Sequence, residues 1–178
     1  MKQYCFAFIF CFIALIASAQ KERLQQQVDS MASLLEKHPT SRSIEDYMRV
    51  ATRLIYVEPE KVDELAAVIE RAALKSGYRF SEARNNVLKL VIMINESQYD
   101  SAELLLKLVK ESAEKNDDKL GLIHYYLNQG IIQKRKGNYE LSTEMYYKGL
   151  VVADEINDNR FKLALYNNLG ALYNAISD

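Results

Sequence analysis

The chain has 178 residues, with 23 lysines and arginines against 24 aspartates and glutamates, 49% hydrophobic residues and no tryptophan. Near neutrality with 26% charged residues excludes an acidic disordered tail and a generic polyanion binder, and the length suits one domain or one short array of repeats. Two prolines and six glycines supply few tight turns for a β-sandwich or barrel, so the expected class is all-α.

The first element is an export signal. Lys2 precedes an uncharged run from Tyr4 to Ala19, rich in Phe and Ile, that ends in Ala17, Ser18 and Ala19. Small residues at these last positions suit cleavage after Ala19, which implies a periplasmic or secreted protein. Retention as an anchor is the alternative, but 16 residues fall short of the ~20 that span a bilayer as a helix. Cys5 and Cys11 both lie in this segment, so the mature chain has no disulfide, thiolate nucleophile or cysteine metal site. Phe8, Ile9 and Phe10 before Cys11 do not form the small, apolar motif of a lipid attachment site. Beyond residue 19 the longest apolar run, Leu88–Ile94, is too short to insert in a membrane.

Residues 20–40 follow as an N-terminal helical segment, with its helix from Lys21 to Lys37. From residue 41 the sequence repeats itself at a shift of 40: Tyr126 falls on Tyr166, Asn128 on Asn168, Gly130 on Gly170, Tyr99 on Tyr139, Lys75 on Lys115 and Asp118 on Asp158. The units are 41–80, 81–120, 121–160 and a half unit, 161–178.

Each unit carries two apolar stripes near a 3.6-residue period, separated by a short polar break, and is predicted to be a helical hairpin. In the first, Tyr47, Val50 and Leu54 precede a break at Glu58 and Pro59, with Pro59 opening the second helix, and Leu65, Ala66, Ile69 and Ala73 follow. The second has Val87, Leu90, Val91 and Ile94, then Ala102, Leu106 and Val109. The third has Tyr125, Tyr126, Gln129 and Ile132, a turn at Gly137 and Asn138, then Leu141, Met145 and Val152. Small residues recur in the second helices, among them Ala102, Ala113, Ser142, Gly149 and Ala153, where they let helices approach closely.

Tyr166, Leu169, Gly170 and Tyr173, with Gly137-Asn138-Tyr139 and Tyr146, resemble the tetratricopeptide repeat signature. The match is strongest in units three and four, weaker in unit two, where Lys89-Leu90 replaces the apolar-Gly pair, and weakest in unit one. The period of 40 exceeds the ~34 of the basic repeat. The excess falls at Ser112–Lys119 and Ala153–Arg160, so the second helices are expected to run one extra turn before a polar Asn/Asp corner. The resemblance implies a right-handed α-α superhelix of antiparallel hairpins.

With its signal segment, the chain is also similar to the extracytoplasmic sensor region of Bacteroidetes-type membrane regulators, whose repeats continue into a transmembrane helix and a kinase or DNA-binding output. No output module is present up to Asp178. The two readings are therefore an exported, non-enzymatic scaffold that binds a protein or peptide, and the sensor ectodomain of a longer regulator.

In such a scaffold the first helices line a concave groove. The groove positions are His124, Leu127, Asn128, Ile131, Lys134 and Arg135 in unit three and Asn167, Asn168, Ala171 and Asn174 in unit four, with Ala164 beside them. In carboxylate-binding repeats an asparagine at the position of Asn128 and Asn168 helps to hold a peptide terminus, and Lys134 and Arg135 would supply charge. Ala164 and Val87 stand where further basic residues of a full clamp belong. The same polar residues equally suit a solvated helix face.

Other chemistry finds no constellation. His38 and His124 are the only histidines and lack metal-ligand spacing, so no metal or cofactor is expected, and His124 reads as a groove or surface residue. Tyr126, Tyr139, Tyr146, Tyr166 and Tyr173 sit on signature positions and are expected to pack. Lys134-Arg135-Lys136 complements a helix C-terminus rather than marking nucleic-acid contact. A glycan-processing enzyme would need a deep acidic cavity that so short an array is unsuited to form. With Asp178 at the point where a fourth hairpin would turn, Leu165, Leu169 and Leu172 are expected to form an uncovered apolar edge suited to self-association.

Overall fold

The computed structural model describes residues 2–177, with side chains from Ser18 onward except Ser81. It is all-α: α1 (Lys2–Lys37), α2 (Ser41–Ile55), α3 (Val62–Ser76), α4 (Ser81–Asn95), α5 (Tyr99–Lys115), α6 (Lys119–Arg135), α7 (Tyr139–Glu155) and α8 (Asn159–Ser177). No strand occurs among the described residues. The side chains that carry the export-signal reading, up to Ala17, lie outside those described. Their backbone belongs to α1, which continues unbroken through residue 19 to Lys37. Among the described residues no helix is long and apolar enough to cross a membrane.

The chain divides into two compact units, residues 1–79 and 80–178. In the first, α1 packs on α2 and α3 through Val28 and Leu35, which join Tyr47, Leu54, Ile55, Leu65 and Ile69 in a core with almost no solvent contact. Thr40 caps α2: its hydroxyl accepts from the Ser43 amide at 3.1 Å, and the Ser43 hydroxyl accepts from the Thr40 amide at 2.8 Å. Pro59 opens a 3-10 turn, Pro59–Lys61, that runs into α3. Glu58 at that corner takes Lys21 at 2.6 Å and Lys61 at 3.0 Å, tying α1 to the break between α2 and α3.

In the second unit α4 to α8 pack each on the next. Three corners share one solution. One or two residues past the helix, Gly77, Asp117 and Asn157, 40 positions apart, adopt left-handed backbone. The amide that follows donates to the carbonyl of Ala73, Ala113 or Ala153, at 3.1, 2.9 and 3.0 Å. This is the Schellman closure, in which one left-handed residue lets the last free carbonyls of a helix find donors. Ser97 and Gly137 do the same between paired helices, where Gln98 and Asn138 donate to Met93 and Gln133, both at 2.8 Å. α5 and α7 each have 17 residues before the polar corner.

The core around α7 joins Ile123, Tyr146, Leu150, Ala153, Leu165, Leu169 and Leu172. This corrects the expected uncovered edge. Leu165 and Leu172 are 0% exposed and Leu169 4%, because α8 turns this stripe onto α7. The apolar residues that α8 exposes are instead Leu163, Tyr166, Tyr173 and Ile176. Of the five signature tyrosines, Tyr146 is buried and Tyr126 packs partly against the core, whereas Tyr139, Tyr166 and Tyr173 are exposed.

Candidate functional site

The groove positions of α6 and α8 differ sharply in access. His124 is buried, not a surface residue, with its ring edge-on to Phe161 of α8 at 5.0 Å between centroids. Leu127 and Ile131, half-buried, pack against the α6–α7–α8 core. Lys134 reaches across to α8 and donates to the Ala171 carbonyl at 3.0 Å. The face of α6 assigned to a ligand is therefore largely engaged with α8.

The paired asparagines behave alike. Asn128 Nδ2 donates to the His124 carbonyl at 2.8 Å, and Asn168 Nδ2 to the Ala164 carbonyl at 2.9 Å. A side chain that bonds the carbonyl four residues back spends its donor on its own helix. Asn128 is buried and Asn168 half-buried. The candidates that remain open to solvent are Arg135, at the C-terminal end of α6, and Asn167, Ala171 and Asn174 on α8.

Several polar groups with binding chemistry serve the joints between helices. Arg84 on α4 is completely buried and holds Asp118 with two hydrogen bonds, Nη1 to Oδ2 at 2.7 Å and Nη2 to Oδ1 at 3.0 Å. Its guanidinium also lies 5.6 Å from the Phe80 ring centroid. Sequence reasoning missed Arg84. Its signal was the 40-residue register, which puts Arg84 at the position of His124, also a buried polar residue of a first helix.

Asp158, the counterpart of Asp118, is served locally. Arg160 donates to it at 2.6 Å from Nη2, and the Arg160 and Phe161 amides point at Oδ1. Arg160 holds the Asp158 carboxyl below the usual carboxylate range, helped by those amides and opposed by burial. On the other side of the array Glu103 of α5 accepts from Gln133 at 2.8 Å and Lys136 at 2.9 Å, and that bond raises the Lys136 ammonium.

Glycine sets the closest helix approach. At Gly130 a β-carbon would run into the ring of Tyr146, and Ser142 on α7 donates to the Gly130 carbonyl at 2.8 Å. Burial pushes the Tyr146 hydroxyl up to about 12. At Gly170, the same position of α8, a β-carbon would meet nothing within 4 Å.

Fold and site define an all-α protein of packed helical hairpins, with Arg135 of α6 and Asn167, Ala171 and Asn174 of α8 open to solvent. No protein-family model, curated protein or solved structure matches the chain.

Proposed function

We propose that the protein is an exported, non-enzymatic interaction scaffold that binds an extended peptide along α8. The export reading rests on the sequence of residues 1–19, and the binding reading on one observation: Asn167 and Asn174 are both exposed on α8, seven residues apart, with Arg135 exposed at the end of α6. Seven helical residues rise about 10.5 Å, close to the length of three residues of extended chain at about 3.3 Å each. Each asparagine offers a donor and an acceptor, so the pair suits two peptide groups three residues apart, as in backbone-directed recognition of extended chains. Arg135 adds a fork for a carboxylate, the C-terminal one or an acidic side chain. Arg84, Asp118, Ser142, Gln133 and Glu103 support a scaffold role because their hydrogen bonds join helix to helix.

The test is a peptide array probed with wild type and with an Asn167→Ala/Asn174→Ala variant. Loss of at least tenfold in affinity for the retained peptides is expected, with a further loss on Arg135→Ala confined to peptides carrying a carboxylate near the contact. Equal binding by the double variant overturns the reading. Sequencing of the mature N-terminus checks export, with Gln20 as the expected first residue.

A further inference from the structure

On α6, Gly130 meets Tyr146 of α7, Tyr126 lies beside Gly149 of α7, Ile123 joins the same core and Gln133 bonds Glu103 of α5; the same repeat positions on α8 are Leu163, Tyr166, Gly170 and Tyr173. On α6, Ile123 is fully buried and Gln133 is 5% exposed. On α8, Leu163 is 63% exposed, Tyr166 59% and Tyr173 48%, and Gly170 faces open space. The spacing of three, four and three is that of a coiled-coil seam. The chain thus shows what belongs on such a face: an antiparallel helix that lays an aromatic ring on the glycine, as Tyr146 does on Gly130.

We propose that this seam pairs with the α8 seam of a second copy of the chain, antiparallel about a two-fold axis. The seam is its own complement. The offset that lays Tyr166 on the partner's Gly170 also sets Leu163 against the partner's Tyr173, and the two-fold axis repeats both contacts, so one register fills the Gly170 depression of each copy. Antiparallel seams join positions of the two alternating kinds in each layer, and both of these pairs do so. Charge permits it as well: the fifteen residues Leu163–Ser177 contain no charged side chain, so two copies meet without like-charge repulsion. Asn167 and Asn174 follow Tyr166 and Tyr173 and flank this seam, so pairing and peptide binding compete for one edge of α8, although the pairing itself is packed by Leu163, Gly170 and the tyrosines.

Sedimentation equilibrium of the purified chain between about 10 μM and about 1 mM reads the association, a range suited to a contact of one helix pair. A reversible monomer–dimer equilibrium is expected. Gly170→Leu fills the depression while meeting nothing in its own chain, and is expected to weaken dimerisation at least tenfold with helicity and melting temperature not lowered. Register is tested in the chain from Gln20 onward, which contains no cysteine. Leu163→Cys/Tyr173→Cys should then oxidise to a covalent dimer, whereas either single change should not. A monomer at every concentration overturns the proposal, including one whose seam instead takes up an added helical peptide. So does a Gly170→Leu dimer as tight as wild type, or a cross-link formed equally well by a single cysteine.

Discussion

Tyr146 of α7 rests on the backbone of Gly130 of α6 so closely that no β-carbon fits between them. In the preceding hairpin the same two positions are Leu106 and Leu90, both fully buried. Bulk is thus exchanged across the joint: a large ring on one helix requires an absent side chain on the other. Gly130→Ala should destabilise the protein by about 2–3 kcal/mol, the overpacking cost outweighing alanine's better helix propensity. Tyr146→Leu alone should open a cavity and cost about 2 kcal/mol. The double change should cost less than the two single losses together, by at least ~1 kcal/mol. Urea unfolding of the four proteins gives the coupling, and strict additivity would reject the account.

The buried pair of Arg84 and Asp118 carries a different expectation, because two charges out of water are stable only as long as both are present. Arg84→Met removes the cation, leaves the Asp118 carboxylate among apolar groups, and should cost about 3–5 kcal/mol. Adding Asp118→Leu should recover most of that loss by replacing the pair with apolar volume, although the Asp118 side chain also crowds Gly121 at the start of α6. Thermal unfolding followed by circular dichroism measures both. If the double variant is as unstable as the single one, the pair orders the α5–α6 corner rather than merely satisfying itself.

The contrast between these two joints explains what was legible in the sequence. The hairpin plan was, because apolar residues recur near 3.6 and the landmarks recur at 40. Gly130, Asn128 and Asp118 all stood out by that shift. Their partners did not. Asp118 takes Arg84 from 34 residues upstream, whereas Asp158 takes Arg160 two residues downstream, so the repeat conserves the acid and changes the source of its cation. The burial of His124 and the exposure of Tyr166 and Tyr173 were hidden for a related reason. The same repeat position is covered on α6 and bare on α8, and only the packing order of the helices separates the two cases. Ala73, Ala113 and Ala153 were visible as small residues, yet their shared task, giving a carbonyl to the amide beyond a left-handed turn, is a backbone property without a side-chain pattern.

Those turns make a prediction of opposite signs. Ser97 and Gly137 occupy the same place in successive hairpins with φ of 59° and 82°. An L side chain in this region crowds its own carbonyl and costs about 1–2 kcal/mol, from which glycine is exempt. Ser97→Gly should therefore stabilise the protein by about 1 kcal/mol, and Gly137→Ala should destabilise it by a similar amount, even though a β-carbon at Gly137 would meet nothing within 4 Å. Denaturant midpoints at equal slope measure both. A destabilised Ser97→Gly would show that the Ser97 hydroxyl, 3.3 Å from Tyr99 Oη, matters more than backbone strain.

Asp158 gives the pH dependence. Its folded carboxyl titrates below the unfolded value because Arg160 and two amides favour the charged form. A depressed folded value means that the stabilisation is fully present above the unfolded carboxylate range, near pH 4, and fades as pH falls through the lower folded value. Asp158→Asn should consequently lower stability at neutral pH and flatten its fall below about pH 4. Wild type and variant should converge at the acid end, where the native carboxyl is protonated in both the folded and unfolded chains. Melting temperatures taken from pH 7 downward test this. Parallel curves across the whole range would mean that the Asp158 charge contributes nothing and that its hydrogen bonds to the start of α8 act equally well from a neutral side chain.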